Sequence, residues 1–157
     1  MKKFLLFICL ACSIAQAQTI TEADLLGEWQ VSNVVFDGNY YNVENDSLSI
    51  SGDYAKKIKE NSPNATDEDV KKEANWFVSS AQTFKVVIKP GYLFEAYKKS
   101  RLTDQGTYIL PQNAALPIVF KGNTETIEFY SKDGKLTSTV IGRGSPSTIK
   151  VTFTKTR

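Results

Sequence analysis

Thr83-Phe84-Lys85-Val86-Val87-Ile88-Lys89-Pro90-Gly91-Tyr92-Leu93-Phe94-Glu95-Ala96 is the stretch whose reading decides the fold. Phe84, Val86 and Ile88 alternate with Lys85, Val87 and Lys89, the period of two that places every second side chain on one face of a strand. Pro90 presets the dihedral of a turn's first corner and Gly91 tolerates the positive φ of its second, so Pro90-Gly91 fits the centre of a type II turn. Tyr92, Phe94 and Ala96 then continue on the returning strand. A β-hairpin is predicted here.

The same period runs downstream. Strands are predicted over Gly106 to Leu110, Leu116 to Lys121, Glu125 to Ser131, Lys135 to Ile141 and Ser147 to Thr156. Lys121-Gly122-Asn123 and Asp133-Gly134 supply turns between them. In the last strand Ile149, Val151 and Phe153 face one way, and Lys150, Thr152 and Thr154 the other. Gly142-Arg143-Gly144-Ser145-Pro146 reads as a hairpin connection and not a phosphate loop, since no helix follows to converge backbone amides on an anion. Upstream, Glu28 to Asp37 has the β-branched and aromatic content of a first strand, with Trp29 and Val31 on one face and Asp37-Gly38-Asn39 as the turn after it. Tyr40 to Ser51 reads as a further extended segment. Short turns between sequential strands argue for an up-and-down antiparallel meander, and the eight principal strands are enough for such a sheet to close into a barrel. The fold class is all-β.

Two helical passages interrupt this pattern. Thr21-Glu22-Ala23-Asp24 resembles a capping box that opens a single helical turn before Leu25-Leu26-Gly27 and closes one barrel mouth. Residues 53–80 form a helical insertion. Tyr54, Ala55 and Ile58 suggest a short helix ending before Pro63. Thr66-Asp67-Glu68-Asp69 then caps a second helix, on which Val70, Ala74, Phe77, Val78 and Ala81 recur along one apolar face. That helix is expected to lie against the barrel or to lid one end. Trp76 falls at the edge of the stripe, where its ring packs on the sheet or awaits a partner.

The first residues carry a different message. Lys2 and Lys3 make a basic n-region, Phe4 to Ile14 an apolar h-region, and Ala15-Gln16-Ala17 an A-x-A cleavage site, so residues 1–17 read as a signal peptide and 18–157 as one exported domain. The apolar run is shorter than the roughly 20 residues that span a bilayer, and no later segment approaches that length. A lipid anchor at Cys12 is the rival to free release into the periplasm or medium. Cys9 stands where the lipoprotein signal wants Leu, which favours release.

Processing would change the composition. Cys9, Cys12 and Met1 all lie in the leader, so the mature domain has neither disulfide nor thiol chemistry. Loss of Lys2 and Lys3 takes the 19 basic residues to 17, balancing 17 acidic ones, and a neutral domain lacks the basic face that nucleic acid requires. Histidine is absent. That removes Ser-His-Asp and Cys-His chemistry and His-ligated metal centres, leaves scattered carboxylates, Lys and Tyr for catalysis, and argues against an enzyme. No cofactor is called for. Asn42 to Ser47, with Asp53 at the twelfth position, loosely resembles a calcium loop, yet Ser47 replaces the required glycine and a polar turn explains it. Asp67, Glu68 and Asp69 are explained by helix capping without a metal. Lys98, Lys99 and Arg101 form a small basic patch, read as a guide for an anionic ligand or as a solvated strand end.

Thr21-x-x-Asp24-Leu25-Leu26-Gly27-x-Trp29, followed by a meander containing Gly106-Thr107-Tyr108, resembles the small secreted lipocalin-like proteins of Bacteroidota-type bacteria. The resemblance covers most of the mature chain in pattern, and its sharp motif is Gly27-x-Trp29; the helical block at 53–80 is an insertion relative to it. In lipocalins this tryptophan packs across the closed end of the barrel beneath a basic side chain from the last strand region. The resemblance implies that role for Trp29, with Lys155 or Arg157 as the cation.

An eight-stranded barrel either fills itself or holds one small ligand. The predicted inward positions are Phe84, Val86, Ile88, Phe94, Leu116, Ile118, Phe120, Ile127, Phe129, Val140, Ile149, Val151 and Phe153. One reading is an exported carrier or sensor whose pocket, entered near the helical insertion, binds a small apolar or aromatic molecule. Its candidate ligand-binding residues are Phe84, Val86, Ile88, Phe94, Ile118, Phe120 and Phe129, with Tyr92 and Tyr108 as polar handles. The other is a barrel with a filled interior, working through its outer surface and a stripe around Trp76 and Phe77 as an inhibitor or as a module that binds an envelope or extracellular protein.

Overall fold

The computed structural model describes residues 19–113, 115–141 and 148–156, and the side chains of Phe77, Ser80, Val140 and Ile141 are left outside that description. Residues 1–18, which include Cys12, residues 142–147 and Arg157 lie outside the described residues. In chain order the elements are α1 (Glu22–Leu25), β1 (Gly27–Phe36), β2 (Asn39–Asn42), β3 (Ser47–Ser49), α2 (Gly52–Asn61) and α3 (Asp67–Ala81). The remaining strands are β4 (Phe84–Lys89), β5 (Leu93–Lys98), β6 (Arg101–Ile109), β7 (Ile118–Gly122), β8 (Thr126–Lys132), β9 (Lys135–Ile141) and β10 (Thr148–Lys155).

From β4 to β10 each strand pairs antiparallel with the next; β4 pairs with β1 and β10 returns to β1, so eight strands close an up-and-down barrel of lipocalin-like, or calycin, architecture. Closure runs along nearly all of β1, from Trp29 opposite Lys155 to Phe36 opposite Ile149. On its other side β1 divides. Gly27–Gln30 pair with β4, while Asn33–Phe36 pair with β2, which carries β3 as an outer hairpin. The barrel seam between β1 and β4 is therefore short and opens toward one end, beside the helical insertion. A bulge at Ser32 switches the inward parity of β1, so that Trp29 and Val31 before it and Val34 and Phe36 after it are all buried.

The two-residue hairpins share one dihedral signature. Asp37-Gly38, Lys99-Ser100 and Asp133-Gly134 have positive φ at both corners, the mirror-image turn whose twist suits antiparallel strands. Gly91 has φ +81°, as the turn at Pro90-Gly91 requires.

Three expectations need correction. Tyr40 to Ser51 is not one extended segment but the β2–β3 hairpin, because Asn42 Oδ1 accepts from the backbone N–H groups of Glu44 and Asn45 and bends the chain. β6 starts at Arg101 rather than Gly106, following the tight Lys99-Ser100 turn, and its polar first half hid it from a hydrophobic pattern. Leu116 is 47% exposed and precedes β7, since the Leu116 N–H bonds back to the Asn113 carbonyl in a turn and Pro117 has no ladder donor to offer.

Inside the barrel a column of rings runs between the ends. Tyr108 stacks on Phe120 at 5.3 Å, Phe120 meets Phe94 at 4.9 Å and Phe129 at 4.8 Å, Phe129 meets Phe153 at 5.6 Å, and Phe153 meets Phe84 at 6.2 Å. These edge and offset contacts are the preferred geometries of aromatic pairs. Val70, Ala74 and Val78, the described apolar face of α3, join the same core, as does Tyr54 of α2 through an edge contact with Phe36. Both long helices are capped by hydroxyls, Ser51 on Tyr54 N–H and Thr66 on Asp69 N–H, with Asp69 completing a capping box.

Candidate functional site

The two barrel ends differ in how they are finished. At the closed end, α1 begins with the Thr21 capping box and delivers Trp29 across the bottom of the barrel. The indole N–H of Trp29 donates to the Leu25 carbonyl at 2.7 Å, and Lys155 Nζ lies 5.8 Å from the ring centre while donating to the Asp24 carbonyl at 3.2 Å. Glu22 of α1 reaches across to the β4–β5 turn, where its carboxylate accepts from the N–H groups of Gly91 and Tyr92 at 2.7 and 2.9 Å. Gly91 and Tyr92 both have positive φ, and consecutive N–H groups in such a turn form a cup for an anion, filled here by the protein's own side chain. Below it the Tyr108 hydroxyl is buried, and desolvation, with the Glu22 charge nearby, pushes its pKa up to about 12.

At the opposite end lies a cavity of about 400 Å³. Its floor is made by Phe129 and Phe153, and Phe84 stands at its edge. Its walls are Val31 of β1, Ile127 of β8 and the pair Ile149 and Val151 of β10. Ala81 and Trp76 of α3 border the opening, with Lys98 and Glu125 on the rim. Trp76 is 73% exposed although it borders an apolar space. Ser138 of β9 is the exception among the walls: it lines the cavity, is 3% exposed, and its hydroxyl has no hydrogen-bond partner among the described residues.

The nine candidate ligand residues divide by depth. Phe84 and Phe129 line the cavity. Val86, Phe94 and Phe120 are buried in the packed column beneath it, and Ile88, Ile118 and Tyr108 are buried toward the closed end. Tyr92 is 47% exposed at the closed end against Tyr108, on the far side of the barrel from the cavity. Tyr92 and Tyr108 are thus not placed as handles on this cavity: the turn that carries Tyr92 lies opposite the insertion. Gly27 and Trp29 sit together at the closed end, where Lys155 supplies a cation over the indole.

Val31, Ser138 and Ala81 also line the cavity, and the pattern of inward apolar residues does not single them out for it. Ser138 had a signal: a small hydroxyl side chain in the inward row of β9, two residues beyond the buried Leu136. Among the polar segments, Asp67 pairs with Lys59 at 2.7 Å and Asp69 caps α3. In the Asn42–Ser47 segment Asn42 bonds the turn, Asp46 accepts from the Tyr41 hydroxyl at 2.6 Å and Asn45 accepts from Ser47. Lys98 and Arg101 flank the tight β5–β6 turn and Lys99 is its first corner, with Lys98 reaching the cavity rim.

No protein-family model, curated protein or solved structure matches this chain.

Proposed function

We propose that this chain is an exported, lipocalin-like binding protein that holds one small apolar or aromatic molecule in the open end of its barrel. The cavity of about 400 Å³ carries the reading. It lies in the range of ordinary ligand sites, roughly 300 to 1,000 Å³, and has well over twice the volume of about 150 Å³ that accommodates a benzene ring. Its walls are aliphatic and aromatic, so transfer of apolar surface from water supplies the driving force. The absence of histidine supports binding over catalysis. Export is supported by Lys2-Lys3, the Phe4–Ile14 run and Ala15-Gln16-Ala17, and no helix among the described residues is long and apolar enough to cross a membrane.

A second reading, an envelope interaction module, draws on the exposed Trp76 beside the opening. The two separate by titration calorimetry with 1-methylnaphthalene. The carrier reading predicts one site per chain, lost by at least about tenfold in Val151→Phe, whose added ring fills the space while the circular dichroism of the barrel is retained. No measurable binding by the wild-type protein, together with no co-purifying small molecule in native mass spectra of protein from its own host, would contradict it.

A further inference from the structure

Ser138 stands at a place where the barrel has no other use for a hydroxyl. It pairs in register with Phe129 on β8 and Val151 on β10, both of which line the same cavity. It lies two residues further in than Ile149 and Val140, or about 7 Å along the strand. It is therefore a wall residue below the level of Ile149, set between Phe129 and Val151. Its side chain is 97% buried by the complement of its 3% exposure, and its oxygen bonds to nothing among the described residues. Buried hydroxyls are ordinarily paired, and each exception asks for a reason. Thr137 and Thr152, its neighbours on the outward face, lie 3.5 Å apart through their hydroxyls, so of these three hydroxyls only that of Ser138 lacks a partner among the described residues; the Tyr108 hydroxyl, also without one, lies at the closed end and does not line the cavity.

The geometry points to a ligand that is not wholly apolar: an aromatic or aliphatic body carrying one uncharged polar atom, a hydroxyl, carbonyl or ether oxygen, placed below the level of Ile149 to bond Ser138 Oγ. This specificity rests on the carrier reading given above. A serine has one rotatable heavy-atom torsion with three staggered wells, so its hydroxyl can turn toward an occupant without rebuilding the wall. A neutral partner fits better than a charged one, because Phe129, Phe153 and Val151 offer nothing to compensate a buried ion. A hydroxyl serves as donor or acceptor, so the inference fixes the position of the polar atom and leaves its sense to the ligand.

The test compares 1-naphthol with 1-methylnaphthalene, which exchange a hydroxyl for a methyl group on the same ring system, by calorimetry on the wild-type protein and Ser138→Ala. Comparing the ratio of the two affinities between the two proteins cancels the difference in hydration of the free probes. In Ser138→Ala that ratio should shift toward 1-methylnaphthalene by roughly three- to tenfold, the worth of one neutral hydrogen bond. Ser138→Thr, which keeps the hydroxyl, should preserve the wild-type ratio. An unchanged ratio in Ser138→Ala, with both probes binding, would overturn the role of Ser138 and leave the carrier reading standing. Failure of the wild-type protein to bind either probe, together with no co-purifying small molecule in native mass spectra of protein from its own host, would overturn both.

Discussion

Gly27 holds φ at +126°, a region that L side chains rarely adopt, and a Cβ added there would meet Lys155 Cε at 2.9 Å. The lysine tip is flexible and can yield, so the backbone decides the cost. Gly27→Ala is expected to destabilise the protein by about 1–3 kcal/mol, the range of a strained dihedral, and to do so equally in a Lys155→Ala background. Urea midpoints of the four proteins measure this; a cost that vanished with Lys155 would assign it to the side-chain clash instead. The arrangement explains the spacing of the motif: glycine lets the chain leave α1 and enter β1, and two residues later Trp29 is set beneath Lys155 and bonded to Leu25. Gly27-x-Trp29 was legible as a motif through its resemblance to the lipocalin-type entry, and the positive φ of Gly27 and the burial of Trp29 give that spacing a physical reason. Ser138 carried only a signal of direction, its parity with Leu136; that it faces an open space was not legible, because this depends on its neighbours across the sheet.

Among the elements, α3 is tied to the outer hairpin by a polar junction. The Tyr41 hydroxyl of β2 donates to Asp46, and Gln82, which follows α3, donates its side-chain amide to the same hydroxyl. Burial first, and the Asp46 carboxylate second, push the Tyr41 pKa up to about 12. A tyrosine in the unfolded chain ionises near pH 10, so the native state holds this proton more tightly. Its contribution to stability is fully present below about pH 10 and is lost as the pH rises toward 12. Tyr108 adds a second loss of the same sign at the closed end. Tyr41→Phe should therefore flatten the fall in urea midpoint between about pH 10 and 12. A fall as steep as that of the wild-type protein would show that Tyr41 does not carry the effect.

At this same scale the sequence was most readable. Alternation and turn chemistry marked the eight barrel strands, and Thr21, Thr66 and Pro63 marked the helix bounds, because each rests on a local rule of sterics or capping. The β2–β3 hairpin and the first half of β6 escaped, since their side chains do not alternate in polarity and their pairing depends on strands already placed.

Across the whole molecule, the rings and aliphatic side chains are not distributed evenly along the barrel axis. Tyr108, Phe94, Phe120 and Ile118 pack one half solid, while the other half is walled by Val31, Ile127, Ile149 and Val151 and keeps its space. A list of inward apolar residues cannot show this, because filling is a property of facing layers and not of any one strand. The short β1–β4 seam and the insertion that leads into β4 place the opening at the end bordered by Trp76. Amide chemical-shift mapping during titration with 1-naphthol tests this polarity most directly. The account predicts saturable shifts clustered at Ile127, Ser138, Ile149 and Val151, with Ile88, Tyr108 and Ile118 unmoved. Shifts centred on the Trp29 end or scattered over the outer face of the barrel would contradict it.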